Sequence, residues 1–395
     1  MFSHMLSLHI KSFLQRSYRF SRSASYFQHT HDPNVARSLP NQNVAKPEEI
    51  DIVSKETSAY FKSLLPILVD DLTDAPDFKK HPEVGSEFRK MLEYNIPHGK
   101  KIPAFLPIAF YTSIEDPNKL SEENIRLAHI VGWCAQMLHT SYLLLDDIQD
   151  GSQTRRGLPS WYLVENVGMR AITDAMWIDN GIYTILKKYF KNHRNYISLV
   201  ELFHKTNIKA YMGQCGDLIY SRGSPTYFQS YNINTYNYIV RYKSGNLFAL
   251  LVRSALLLCG INDEVLHEQV NSLMMEIGRH YQLQNDYLDC YGHKAATGRD
   301  SNDIQKGRCT WFIVKALERA SPAQKTVLEQ NYGVPDDNAV LVVRSVYDEL
   351  NLQNLALIHE DESDKQIRSL IDRLPQKLPH ELFVKVMRIF YRRSG

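Results

Sequence analysis

From about residue 49 to the C-terminus, apolar residues recur three and four positions apart, the spacing that lines one face of an α-helix. The segments with this period lie near residues 50–73, 119–150, 167–221, 233–258, 263–291, 310–331, 338–358 and 379–392. No long run alternates apolar and polar residues in the manner of a half-buried strand. Glycine and proline collect between the helical segments, at 97–107, 151–159 and 292–307, so loops are expected there. The pattern predicts one all-α domain over 49–395, too evenly spaced to split, with its polar chemistry in the loops and at helix ends. No apolar stretch approaches the roughly 18 residues that cross a bilayer, and no membrane span is expected.

The N-terminus follows a different rule. Residues 1–31 hold Lys11, Arg16, Arg19 and Arg22, seven serines and no acid, and Leu6, Ile10, Phe13 and Leu14 recur at helical spacing. A basic, serine-rich, acid-free amphipathic leader reads as a mitochondrial transit peptide, which places the mature protein in the mitochondrion; without that signal the expectation is the cytoplasm. Residues 32–48, with three prolines, read as a linker. The leader also changes the meaning of the charge. The whole chain carries 46 basic against 44 acidic residues, a net +2, but without those four cations the balance is 42 against 44. A slightly acidic body argues against a nucleic-acid partner, which needs a surplus of cations on one face. The five cysteines are odd in number and show no CxxC spacing, so neither a disulfide framework nor a structural zinc site is indicated.

There is no GxGxxG, no phosphate loop ending in Gly-Lys-Ser/Thr and no HExxH. What remains is one acidic pattern used twice. Asp146, Asp147 and Asp150 end the apolar run 137–145, and Asn285, Asp286 and Asp289 end the run 273–283. Positions i and i+4 share a helix face, so Asp146 points with Asp150 and Asn285 with Asp289. Carboxylates stacked in this way repel one another, and burial raises their pKa values unless a cation is present. Hard oxygen ligands at this spacing suit Mg2+, which completes its octahedron with water and phosphate oxygens. A solvated helix end is the plainer reading of one such cluster, although acids at a helix C-terminus oppose the macrodipole. The duplication weighs against it, as does the basic pair Arg155 and Arg156 just beyond the first cluster.

The run GWCAQMLHTSYLLLDDIQDGSQTRRGLPSW (132–161), the run YQLQNDYLDCYG (281–292) and the run TGRDSNDIQKGRCTWFIVKAL (297–317) together resemble the isoprenyl diphosphate synthases, farnesyl diphosphate synthase and its descendants. Weaker matches are YNIPHGK (94–100), GQCGDL (213–218), RYKSG (241–245) and the basic C-terminal end, so the resemblance covers about residues 50–395. It implies the all-α isoprenoid synthase fold, a helical bundle around a central substrate cavity, with three Mg2+ ions and a prenyl diphosphate at its mouth. By that resemblance Asp146 and Asp150 are metal ligands with Asp147 beside them, and Asn285, Asp286 and Asp289 form the second metal motif. Arg155, Lys243 and Arg299 are expected to hold the allylic diphosphate with Gln282 assisting, while Lys100 and Arg156 belong to the second, homoallylic diphosphate. Asp146, Asp147, Asp150, Lys243 and Arg155 are the expected catalytic set. The resemblance also implies a homodimer.

Where the chain departs from its family the expected chemistry changes. The homoallylic diphosphate has no metal and depends on side chains from a Gly-Lys-x-Asn-Arg-Gly stretch, a Gln before the first motif, and the second Arg of the pair after it. Here the stretch reads Gly99, Lys100, Lys101, Ile102, Pro103, Ala104, so Pro103 stands at the Arg position; His139 stands at the Gln position and Arg156 is kept. A guanidinium supplies two directed donors that proline lacks, a loss of about 1.5 to 3 kcal/mol. That is roughly ten- to a hundredfold in affinity for the second substrate. An allylic cation without an alkene partner must cyclise, rearrange, lose a proton or capture water. The leading expectation is therefore a sesquiterpene synthase, a lyase acting on farnesyl diphosphate alone and most like insect terpene synthases derived from farnesyl diphosphate synthase. The alternative is a farnesyl or geranyl diphosphate synthase that transfers a prenyl group to isopentenyl diphosphate, and a silent partner subunit is a third class. Asn285 in place of an acid, and His293 where another acid is common, point away from ordinary prenyl transfer. Tyr142, four residues before Asp146, is the expected bulky floor of a cavity for fifteen carbons, with ten the next choice. A part in volatile or pheromone production follows from the family analogy alone.

Overall fold

The computed structural model describes residues 52–221, 228–292 and 302–391. The leader, the linker, Arg299 and His293 lie outside the described residues.

Along the chain the helices are α1 (Lys55–Ser63), α2 (Leu65–Thr73), α3 (Pro76–Lys80), α4 (Pro82–Asn95), α5 (Ile102–Ile114), α6 (Glu122–Asp150), α7 (Arg170–Phe190), α8 (Tyr196–Ile219), α9 (Ile233–Val240), α10 (Asn246–Leu258), α11 (Glu264–Tyr291), α12 (Asp303–Lys306), α13 (Trp311–Arg319), α14 (Pro322–Asn331), α15 (Asp337–Glu349), α16 (Leu352–Asp372) and α17 (His380–Phe390). Among the described residues the sole strand pairing is a two-residue hairpin in which Thr154–Arg155 (β1) runs antiparallel to Leu158–Pro159 (β2). None of the described helices is long and apolar enough to cross a membrane.

The bundle is organised around α6. Ser121 caps its first turn by accepting from the Asn124 N–H, Glu122 and Glu123 complement its dipole, and Gly151 ends it in the left-handed conformation with φ of 62°. Residues 128–138 are buried on every side, so α6 is the central post, with α5 and α7 packed on it and α10, α11 and α8 completing the ring. The C-terminal helices add a second apolar cluster in which Phe312, Tyr332 and Tyr347 are fully buried.

The sequence periods survive with informative breaks. The single segment 310–331 is two helices, because Pro322 starts α14 behind a capping box of Ser321 and Gln324. The segment 338–358 breaks at Asn351, in the left-handed conformation with φ of 53°. The loop expected at 97–107 is shorter than the prolines imply. Pro103 sits in the first turn of α5, where the missing N–H costs nothing, and Pro107 follows one turn later within the same helix.

Between α9 and α10 the backbone makes a π-helical turn, Arg241–Gly245, that carries Lys243. It lies so close to α8 that a Cβ on Gly213 would stand 2.2 Å from the Lys243 backbone nitrogen. Glycine at 213 is thus a condition for bringing Lys243 against the end of α6.

Candidate active site

The last turn of α6 opens into a cavity of about 820 Å³. Asp146 and Asp150 line it, as their i, i+4 spacing predicts, and apolar side chains such as Leu247, Phe248 and Phe390 form its deeper walls. Asp147 is turned away from the cavity. Both Nε and Nη2 of Arg155 donate to its Oδ1, at 2.9 and 2.5 Å, and Nη2 also stands 3.4 Å from Asp146 Oδ2. The Asp147 carboxylate is thus committed to orienting Arg155 and stands a step behind the expected metal ligands. Burial pushes its pKa up, with Arg155 opposing.

Asp146 receives three donors. Lys243 Nζ lies 3.2 Å from Oδ1 and Gln214 Nε2 also 3.2 Å, with Arg155 on the other oxygen. Burial alone would raise this carboxyl, yet Lys243 and Arg155 reverse the sign and hold it well below the usual carboxylate range. Lys243 is shared with Asp217, whose Oδ2 is 2.7 Å away; burial disfavours the ammonium, and the two carboxylates more than offset it, so its pKa is raised. Asp150 pairs with Arg308 and lies 3.4 Å from Lys306 Nζ. Arg308 reaches back to Asp217 Oδ2 at 3.4 Å and donates to Ser221 Oγ at 3.1 Å. Three carboxylates and four cations therefore alternate around the mouth.

Sequence reasoning missed four members of this ring: Gln214, Asp217, Lys306 and Arg308. Each lies inside a run already notable for its resemblance. Gln214 and Asp217 are three apart on one face of α8, and Lys306 and Arg308 flank Gly307 in the stretch before Trp311, so the signal was there as spacing and charge.

The second acidic motif divides its labour. Gln282, Asn285 and Asp286 line the cavity. Asp286 accepts from the Trp311 backbone N–H at 2.9 Å and from Gln282 Nε2 at 2.8 Å, while Ser244 Oγ donates to Gln282 Oε1 at 3.1 Å. Burial, and then the charge of Asp303, push the Asp286 carboxyl up to about 7. Asp289 is not among the lining residues. Its two oxygens accept the backbone N–H groups of Asn302 and Asp303, at 3.2 and 3.1 Å, and so anchor the start of α12. Asp289 thus braces the start of α12 through these two backbone contacts, and the lone pairs that remain on its oxygens are compatible with the expected contact to metal.

A metal fits this donor set in a particular way. Among the described residues no three His, Cys, Asp or Glu side chains converge as a ready cage. The oxygens offered are Asp146 and Asp150 on one wall and the Asn285 amide on another. That is the partial shell Mg2+ accepts when phosphate oxygens and water complete its octahedron.

The region expected for a second diphosphate lies on the same cavity, lined by Lys100, Lys101, Pro103, His139 and Arg156. Arg156 Nη1 donates to the Asn95 carbonyl at 3.0 Å. Pro103 offers no donor at all. His139 Nδ1 is buried without a partner, and burial pushes the imidazole down to about 3, with the charges of Arg156 and Arg155 adding to the effect. A neutral ring therefore stands where a phosphate-binding amide was expected. Tyr142 lines the cavity with its hydroxyl buried.

With this geometry in place, comparison with known proteins adds a second line. The polyprenyl synthetase family model matches residues 86–350. Farnesyl pyrophosphate synthase of Gallus gallus is 34% identical over 347 residues, covering 87% of this chain and 94% of that protein. The enzyme of the same name from Murgantia histrionica is 35% identical over 344 residues, covering 87% and 84%, and farnesyl pyrophosphate synthase 1 of Lupinus albus is 36% identical over 335 residues, covering 85% and 98%.

Proposed function

This chain belongs to the polyprenyl synthetase family, and from that premise we propose that it ionises an allylic prenyl diphosphate with the help of Mg2+. The observation that carries the reading is the ring of Asp146, Asp150, Lys243, Arg155 and Arg308 on a cavity that also holds apolar side chains such as Leu247, Phe248 and Phe390. Asp146, Asp150 and Asn285 are the residues to hold Mg2+, which when bound neutralises charge on the departing diphosphate. Lys243, Arg155 and Arg308 face the same group. Donors fixed in advance where negative charge grows stabilise the ionised pair at little reorganisation cost. Leu247, Phe248, Leu251 and Phe390 on the same cavity give the apolar chain of such a substrate a surface to lie against.

For the fate of that cation, the relatives support prenyl transfer. The similar proteins are named farnesyl pyrophosphate synthases, and Lys100 and Arg156 remain available for the diphosphate of isopentenyl diphosphate. A second reading, a sesquiterpene synthase that releases diphosphate from farnesyl diphosphate, is favoured by one specific observation. Pro103 and a neutral His139 whose Nδ1 has no partner replace two of the side chains that would grip a second diphosphate. Two tubes separate the readings. The full-length chain with Mg2+ receives farnesyl diphosphate alone, or dimethylallyl plus isopentenyl diphosphate. Longer prenyl diphosphates from the second tube with no hydrocarbon from the first support prenyl transfer, and a volatile hydrocarbon or alcohol from the first supports the terpene synthase. Silence in both, with the protein folded, removes the proposal.

A homodimer belongs to the same reading. Met169, Ile172 and Met176 form an exposed apolar stripe at the start of α7, and Ile208, Met212 and Ile219 form another on α8. Mitochondrial import is supported by the pattern of residues 1–31 and is tested by the location of the protein with and without them.

A further inference from the structure

Among the described residues, four other than glycine hold their backbone in the left-handed region: Lys101, Arg156, Asn166 and Asn351, with φ of 53°, 54°, 64° and 53°. Asparagine enters that region readily, whereas a long side chain meets a steric cost there and persists only where its surroundings fix it. The two cations are the exceptions, and both line the cavity. Arg156 forms, with Gly157, the tight turn between β1 and β2, a turn whose first left-handed position ordinarily takes Asn, Asp or Gly. The two side chains meet at Gly99. Lys101 Nζ donates to the Gly99 carbonyl at 3.4 Å, and Arg156 Nε lies where a Cβ on Gly99 would come within 2.8 Å.

Charge sets the pair apart a second time. Lys243, Arg155, Arg308 and Lys306 at the mouth each pair with a carboxylate. Among the described residues Lys101 and Arg156 pair with none. Arg156 is turned to the Asn95 carbonyl, and Asp147, the acid whose charge reaches it, is already held by Arg155. The charges acting on Lys101 are those of Lys62 on α1 and of Arg156, both positive, and with burial they push its pKa down. Like charges that are partly desolvated without a counter-ion are costly, and a bound anion removes that cost. We propose that Lys101 grips the diphosphate of the second substrate, in place of the guanidinium that Pro103 lacks. The inference rests on the prenyl-transfer reading. Lys101 stands at the variable position of the Gly-Lys-x-Asn-Arg-Gly stretch, so the family pattern gives it no part in that grip. An ammonium reaches phosphate as a point charge and needs no fork geometry, so a change of position by two residues along the loop is tolerated.

Lys101→Met keeps the stem and removes the charge, and Lys101→Arg keeps the charge. Each full-length protein is given Mg2+ and saturating dimethylallyl thiolodiphosphate, which fills the first site without ionising, and is then titrated calorimetrically with isopentenyl diphosphate. Lys101→Met is expected to bind isopentenyl diphosphate roughly tenfold or more weakly than wild type, and Lys101→Arg within about threefold of it. All three are expected to bind the thiolodiphosphate alike. Without ligands, Lys101→Met is expected to be at least as stable as wild type in denaturant, because repulsion from Lys62 and Arg156 is relieved. Equal affinity of wild type and Lys101→Met for isopentenyl diphosphate, an equal loss of affinity for the thiolodiphosphate, or a clear loss of ligand-free stability overturns the inference and leaves the prenyl-transfer reading standing. Failure of wild type to bind isopentenyl diphosphate while it binds the thiolodiphosphate removes that reading and the role of Lys101 with it.

Discussion

Gly99 and Arg156 are built against each other: Gly99 holds φ of +87°, and a Cβ added to it would stand 2.8 Å from Arg156 Nε. The contact joins the loop before α5 to the loop after α6. It seats the guanidinium whose Nη1 donates to the Asn95 carbonyl. One backbone position without a side chain thereby fixes a cation on the cavity wall.

Gly99→Ala is therefore expected to do more than strain the backbone. Gly157, with φ of +80° and nothing within 4 Å of an added Cβ, is the control. Both alanine variants lose about 1 kcal/mol from the left-handed conformation, visible as a lower melting temperature. Gly99→Ala alone also displaces Arg156, so its affinity for inorganic diphosphate is expected to fall about fivefold below that of Gly157→Ala by calorimetric titration.

Arg308 stands between Asp150 and Asp217 and is nearly buried. Arg308→Gln leaves two carboxylates short of a cation, and the fold is expected to lose on the order of 2 to 3 kcal/mol in chemical denaturation. Mg2+ with inorganic diphosphate supplies countercharge only to the folded protein, so the deficit is expected to shrink when both are added. Turnover is expected to drop more than a hundredfold, because a donor facing the leaving group is gone. Arg308→Lys is expected to recover part of the stability and less of the turnover, since a point charge lacks the fork that touches both carboxylates.

The sequence made the helices legible because their apolar period is long and undisturbed, and it made Asp146 and Asp150 legible because i, i+4 spacing is a local property. It hid whatever depends on neighbours far along the chain. The spacing that pairs Asn285 with Asp289 is sound, but the backbone of residues 302 and 303 folds onto Asp289, and nothing local announces that. Arg308 is 158 residues from Asp150, and Asp217 is 26 residues from Lys243, so the ring of charge closes only in three dimensions. The two prolines of α5 misled in the opposite direction. Proline marks a helix start as readily as a helix stop, and composition does not distinguish the two.

His139 gives a pH signature. Its imidazole is pushed down to about 3 from an ordinary value of 6.5, chiefly by burial. Below pH 6.5 the unfolded chain takes up a proton that the folded chain refuses until about pH 3. Stability from this residue is thus complete above 6.5 and is lost as the pH falls, by at most ~1.4 kcal/mol per pH unit. His139→Gln carries no titrating ring, so its stability relative to wild type is expected to improve by about 1 to 2 kcal/mol between pH 7.5 and pH 5. Denaturant titrations at both pH values check this, and a constant offset would mean that the ring is solvated in the folded state.

The decisive question about the cation is whether a second diphosphate can be gripped, and it turns on two side chains. Pro103 in the first turn of α5 is replaceable, because that position tolerates residues other than proline and its side chain faces the cavity lining. Pro103→Arg restores a guanidinium beside Arg156 and Lys101, and His139→Gln restores an amide that both donates and accepts. If prenyl transfer is limited by the grip on isopentenyl diphosphate, the double variant is expected to bind that substrate roughly ten- to a hundredfold more tightly and to elongate dimethylallyl diphosphate faster by a similar factor. Any hydrocarbon formed from farnesyl diphosphate alone is expected to persist, since Asp146, Asp150 and Lys243 are untouched. The measurement is a competition in one tube, with dimethylallyl, isopentenyl and isotopically labelled farnesyl diphosphates supplied together and the ratio of prenyl diphosphate elongated from dimethylallyl diphosphate to hydrocarbon from farnesyl diphosphate followed in wild type and variant. An unchanged ratio in a folded double variant would place the control of the cation's fate elsewhere in the cavity.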